Sequence, residues 1–196
     1  GIRRRPSLIR GPPCRELCWK AEWIPAALER SNVPKFTLLF FGDVVGRPGR
    51  AGICHAIPVL RAKYNPDLII ANAENSAGGS GITPSTLERL AFFGVEVLTS
   101  GDHIFRNREY AQIIQDPRVL RPANYPKSAD GRGWGVFEAR GGVRVAVINL
   151  MGRVFMEPMR CPFEIVDEIL PVAAEQAKVI LVDMHAEATS EKMALG

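Results

Sequence analysis

The sequence predicts an α/β fold built on a mostly parallel sheet covered by helices on both faces. Two observations carry this. Apolar runs of strand length, TLLFF, LIIAN, VEVLT and VILVDM, alternate with segments of helical length, the pattern of strands buried on both sides. Each run also ends beside a residue able to bind a metal: Asp43, then Glu74 and Asn75, then Asp102 and His103, then His185. If these strands lie parallel in one sheet, residues just past their carboxyl ends share one crevice.

The elements follow in order. Thr37 to Phe41 reads as the first strand, and Arg47 to Lys63 as a helix whose start Pro48 marks. Leu68 to Asn72 is the second strand. After the glycine-rich SAGGSGITPS, Pro84 opens a helix with Leu87, Leu90 and Ala91 on one face, and Gly94 ends it. Val95 to Thr99 is the third strand and Asn107 to Gln115 a short helix, followed by the turn-rich link DPRVLRPANYPKSADGRG. Trp134 to Ala139 and Val143 to Leu150, joined by Arg140, Gly141 and Gly142, form a hairpin that adds an antiparallel component. Pro162 to Gln176 is a helix, Val179 to Met184 the last buried strand, and the residues after His185 begin a further helix.

Charge is unevenly spread. The chain of 196 residues carries a formal +4, but residues 1 to 35 hold eight Lys or Arg against three Glu, whereas 36 to 196 are close to neutral. Residues 1–35 therefore read as a basic, weakly ordered leader, with a domain boundary near Pro34 and one domain over 36–196. The leader's basic charge admits a nucleic-acid or membrane-phosphate contact, or an organellar presequence; Leu17, Trp19, Trp23, Ile24 and Leu28 outline a short amphipathic helix broken by Pro25. No apolar run has the roughly 18 to 20 residues of a membrane span, so a cytoplasmic protein is expected. Cys14 and Cys18 have C-x3-C spacing but lack a second ligand pair, so the four cysteines read as reduced and incidental.

Singly, an Asp after a strand is a turn or helix-cap residue and a lone His a structural group; four repetitions at strand ends favour a shared site. Carboxylate, amide and imidazole donors together suit Fe, Mn or Zn rather than Ca or Mg alone. Gly42, Gly46 and Gly49 match neither the dinucleotide fingerprint nor a Walker loop. They read instead as turn-formers that let Asp43 face the site. His55, inside the first helix, reads as structural.

The segments FFGDVVGRPGR, ANAENSAGG-GIT, TSGDHIF, LRPANYP, VINLMGRVFMEP and DMHAEATSEKMALG resemble the YmdB-like branch of the calcineurin-like metallophosphoesterases over essentially all of residues 36 to 196. The resemblance implies a four-layer αββα sandwich, incomplete here at the C-terminus, with a dinuclear metal site that hydrolyses phosphodiesters, notably 2',3'-cyclic nucleotides or RNA-derived substrates. It implies that Asp43 and Asn75 hold the first of two transition-metal ions, Fe or Mn before Zn, that Glu74 bridges both, and that Asp102 and His185 hold the second. A metal-activated hydroxide would attack phosphorus while His103, the catalytic general acid, protonates the departing sugar oxygen.

Two departures matter. The family's G-N-H motif is Gly101-Asp102-His103 here, and the extra carboxylate is expected to hold a metal while reducing its Lewis acidity and its attraction for an anionic substrate. The family's later G-T-H-T-H motif is not in this sequence, so weak metal binding, at one position only, is expected. The rival expectation is a catalytically impaired binding or regulatory protein that keeps the crevice. Arg121, Asn124, Asn149 and Thr189 are candidates to line that crevice, with structural hydrogen bonds the competing reading. No membrane partner is expected, and a homo-oligomer is left open.

Overall fold

The computed structural model describes residues 35–196. The expectations for the leader, including Cys14, Cys18 and the amphipathic segment, lie outside the described residues. In order come β1 (Leu38–Phe41), α1 (Gly46–Tyr64), β2 (Leu68–Asn72), α2 (Pro84–Phe92), β3 (Val97–Thr99), α3 (Tyr110–Ile113), β4 (Trp134–Glu138), β5 (Arg144–Met151), α4 (Pro162–Gln176), β6 (Val179–His185) and α5 (Thr189–Leu195).

These strands form two sheets, as the resemblance implied and unlike the single sheet assumed from the strand pattern alone. One is the parallel sheet β1-β2-β3; the other, in the order β4-β5-β6, pairs β4 antiparallel and β6 parallel to β5. The reason lies in the side-chain alternation of β2 and β5. Leu68 and Ile70 point into a middle layer with Val97, Val145, Val147 and Leu181. Ile69 and Ala71 instead face Ile53 and Ile57 of α1 and Leu87 and Leu90 of α2. On the second sheet, Ala146, Ile148 and Leu150 pack on Ile165, Val166 and Ala173 of α4. The layers are helices, sheet, sheet, helix, which is the αββα arrangement. The central strands β2 and β5 are covered on both faces, so all but Arg144 at the start of β5 is buried and most of their residues are apolar. Truncating fully buried Ile70 to Ala would cost about 2–5 kcal/mol.

Local chemistry sets the element ends. Thr83 caps α2: its Oγ1 accepts from the Thr86 N–H at 3.3 Å, and Thr86 Oγ1 accepts from the Thr83 N–H at 2.9 Å, with Pro84 in the first turn. Past its end, Gly94 has φ +101°, and a Cβ there would overlap the Arg61 guanidinium. The predicted helix Asn107 to Gln115 shortens to the single turn of α3, flanked by turns. Among the described residues, no helix is long and apolar enough to cross a membrane.

Candidate metal centre

Three parallel strands in one sheet deliver Asp43, Glu74, Asn75, Asp102 and His103 at their carboxyl ends, and β6 of the facing sheet delivers His185 as its last residue. His185 thus approaches from across the sandwich rather than along the same sheet edge. It pairs with Met151 and accepts the Gly152 N–H on its carbonyl at 2.7 Å, which fixes the end of the strand.

Donor atoms of Glu74, Asp102 and His185 all lie within 4.8 Å of one another. His185 Nε2 is 3.3 Å from Glu74 Oε1 and 3.4 Å from Asp102 Oδ1. Asp43 and His103 stand outside this trio, and Asn75 connects them to it. Its Nδ2 donates to both Asp43 oxygens at 3.0 and 2.9 Å and to Glu74 Oε1 at 3.2 Å. With Nδ2 facing three carboxylate oxygens, Oδ1 faces the His103 ring, 2.5 Å from Nδ1. An amide oxygen only accepts, so this contact places a proton on His103 Nδ1. Its other nitrogen, Nε2, lies 3.5 Å from Asp102 Oδ2. Holding a metal through Asn75 Oδ1 beside Asp43 therefore requires the amide to turn over.

Glu74 is 1% exposed, and its Oε2 has no hydrogen-bond partner among the described residues. Burial pushes its carboxyl up to about 7, with His185 drawing it down and Asp102 pushing it further up. A buried carboxylate oxygen without a donor is costly, and a cation would satisfy it. Gly101 makes this packing feasible, because a Cβ there would overlap Glu74 Oε2 and lie 2.5 Å from His185 Cδ2. The donor set, the unpartnered oxygen and this glycine-lined approach fit a metal ion.

The glycines near Asp43 play a narrower part than expected. Gly46 alone of Gly42, Gly46 and Gly49 has a positive φ, +54°, and its N–H donates to the Asn75 carbonyl at 2.8 Å. That bond ties the start of α1 to the loop after β2. Gly42 has open space around its Cα and Gly49 packs on Val44. His55 lies on the exposed face of α1, away from the buried positions Ile53 and Ile57.

Three predicted crevice residues are structural. Arg121 donates from Nε, Nη1 and Nη2 to the carbonyls of Asp130, Pro122 and Ala129. Asn124 bonds both ways with the Met151 backbone and donates to the Arg160 carbonyl. Asn149 Nδ2 donates to the carbonyls of Ser100 and Leu120. Thr189 is exposed in the first turn of α5.

Other contributors were not singled out from the sequence. Asp183 Oδ2 accepts from Thr99 Oγ1 at 2.5 Å and from Asn72 Nδ2 at 3.2 Å, joining the two sheets just below the cluster. Its signal was a lone acid inside the apolar run VILVDM. Arg106 Nη2 donates to Asp102 Oδ2 at 2.6 Å, at the four-residue spacing that places two side chains together on a helical turn.

A two-sheet αββα sandwich with carboxylate, amide and imidazole donors at its strand ends is the architecture of the calcineurin-like metallophosphoesterases. A family model described as YmdB-like protein matches residues 39–196, and the chain belongs to that family. It is 43% identical over 160 residues to the 2',3'-cyclic-nucleotide 2'-phosphodiesterase of Bacillus subtilis, covering 81% of this chain and 60% of that protein. A novel phosphatase from Mycoplasma pneumoniae has a similar crystal structure, with a TM-score of 0.76 and 33% identity over 83% of this chain and 59% of that one. A hypothetical protein from Thermus thermophilus gives 0.74 and 39%, over 81% and 61%. The chain spans 57–60% of the length of the curated relatives it matches.

Proposed function

We propose that this protein is a metal-dependent phosphodiesterase acting on 2',3'-cyclic nucleotides or related RNA-derived phosphodiesters. The observation that carries this reading is the Glu74, Asp102 and His185 cluster with its buried, unpartnered Glu74 oxygen. Glu74, Asp102 and His185 would hold one cation, and Asp43 with a turned Asn75 amide a second beside Glu74; mixed oxygen and imidazole donors suit Fe or Mn, then Zn. When bound, such ions supply Lewis acidity and a nucleophile from water near neutral pH.

The chain's own residues do the rest. Water adds to phosphorus and releases a proton to solvent, the bond from phosphorus to a sugar oxygen breaks, and His103 gives its Nε2 proton to that oxygen and takes another from solvent. With its amide turned, Asn75 would present Nδ2 to His103 Nδ1, holding the ring and leaving the ring's proton on Nε2, toward Asp102. Arg106 offsets part of the Asp102 charge. Residues 36–196 form the hydrolase domain in this reading, with 1–35 a separate basic leader. A cytoplasmic setting agrees with the free thiols Cys54 and Cys161.

The test is hydrolysis of bis-p-nitrophenyl phosphate and 2',3'-cyclic AMP by the full-length protein loaded with Mn²⁺ or Fe²⁺. Activity is expected, with His103→Ala lowering kcat by roughly 10²- to 10⁴-fold, the usual weight of a general acid. A stoichiometrically loaded protein that cleaves neither substrate would overturn the reading. One observation favours a second reading, a catalytically impaired binding protein: the Asp102 carboxylate adds negative charge where an anionic substrate must approach.

A further inference from the structure

Beside the cluster, a cleft of about 440 Å³ is lined by Asp102, Arg106, Phe155, Met156, Glu157 and Glu187. It lies within the size range of small-ligand sites. Phe155 is 92% exposed on this cleft and has φ +62°. Both features are unfavourable for a phenylalanine. An exposed ring contributes nothing to a core, and a left-handed turn alone would select Gly or Asn.

The loop beneath it is nonetheless well anchored. Glu191 of α5 is buried, and its carboxylate accepts the Arg153 N–H at 2.9 Å on Oε1 and the Val154 N–H at 3.1 Å on Oε2. The Gly152 N–H donates to the His185 carbonyl at 2.7 Å, so the loop is tied to the strand that delivers His185. A fixed segment thus presents an aromatic ring to solvent, in the same cleft as Asp102.

We propose that Phe155 is the stacking platform for the nucleobase of the substrate whose phosphate sits at the Glu74, Asp102 and His185 cluster. This rests on the phosphodiesterase reading and names the part of the substrate that binds outside the reacting centre. Every base has a π-face, so such a platform distinguishes a nucleotide from a base-free phosphodiester without selecting one base. Glu157 and Glu187 sit on the same cleft. They can accept from ribose hydroxyls or exocyclic amines and discourage a further phosphate.

The test compares 2',3'-cyclic AMP with glycerol 1,2-cyclic phosphate, a base-free analogue, as substrates of the full-length, Mn²⁺-loaded protein. Phe155→Ala should lower kcat/KM for 2',3'-cyclic AMP by about 5- to 100-fold, the range of a lost base stack, and leave the glycerol substrate within about twofold. Phe155→Trp, with the same backbone demand, should retain selectivity. Equal effects on both substrates, or none on either, would overturn the proposal. Binding is read separately in His103→Ala/Phe155→Trp, where 2',3'-cyclic AMP should quench a tryptophan signal that glycerol cyclic phosphate leaves unchanged. If the parent protein cleaves neither substrate, the phosphodiesterase reading falls. Quenching would then still support base stacking at Phe155, and its absence would overturn it.

Discussion

Asn75 Nδ2 lies 3.0 and 2.9 Å from the two carboxylate oxygens of Asp43. The same nitrogen also reaches Glu74 Oε1, so an amide bridges two carboxylates. Asn75→Ala removes that bridge and leaves like charges facing each other. In EDTA it should destabilise the protein by about 1–3 kcal/mol, the cost of unpaired polar groups. Thermal unfolding with EDTA and with Mn²⁺ checks this. The rise in Tm on adding metal should be smaller for the variant than for the parent, because Asn75 is also a ligand of the proposed second cation.

Glu74 gives the metal-free protein a definite pH dependence. Its carboxyl is raised in the fold from 4.5 to about 7, chiefly by burial. A group shifted this way contributes stability that is complete below its unfolded value and is lost as pH rises through its folded value. In EDTA, Tm should therefore fall between about pH 5 and pH 8. Glu74→Gln should flatten that fall and stabilise the protein at pH 8 by roughly 1–3 kcal/mol. The ionised carboxylate is the ligand, so Mn²⁺ affinity should rise over the same window.

Asp102 carries charge in two directions, toward His185 Nε2 at 3.4 Å and toward Arg106 at 2.6 Å. Asp102→Asn should weaken metal binding yet raise kcat at saturating metal by roughly 3- to 10-fold, the scale of about 1 kcal/mol for a partly exposed charge pair. Arg106→Ala should lower kcat/KM by a similar factor. Steady-state kinetics across a Mn²⁺ titration separate the two effects.

Asp183 joins the sheets beneath the cluster through Thr99 and Asn72. Asp183→Ala removes the partner of the buried Thr99 Oγ1 and Asn72 Nδ2, so the urea midpoint should fall by an amount worth about 1–3 kcal/mol. Asp183→Asn keeps an accepting oxygen and should cost less.

The order and type of the elements were legible because β2, β5 and β6 are apolar over most of their length and α2 and α4 open on Pro84 and Pro162. The donor residues were legible because they recur at strand ends. The split into two sheets came from the motif resemblance and not from the strand pattern, since a run buried on both faces looks the same whichever sheet it joins. Period-two alternation is masked when Ile69 and Ile70 are equally apolar. Contacts between distant segments were hidden for a related reason: Glu191 meets Arg153 and Val154, and Asp183 meets Asn72 and Thr99. Gly101 was visible as a letter, but its role depends on Glu74 and His185 arriving from elsewhere.

Whether Glu74, Asp102 and His185 form a metal centre is tested most directly by calorimetric titration of the EDTA-treated, dialysed full-length protein with Mn²⁺. At least one ion per chain should bind to the parent protein, with affinity reduced at least about tenfold in both Glu74→Gln and His185→Ala, as loss of a ligand requires. Binding well below one ion per chain, or binding that neither substitution changes, would contradict a metal centre at these three residues.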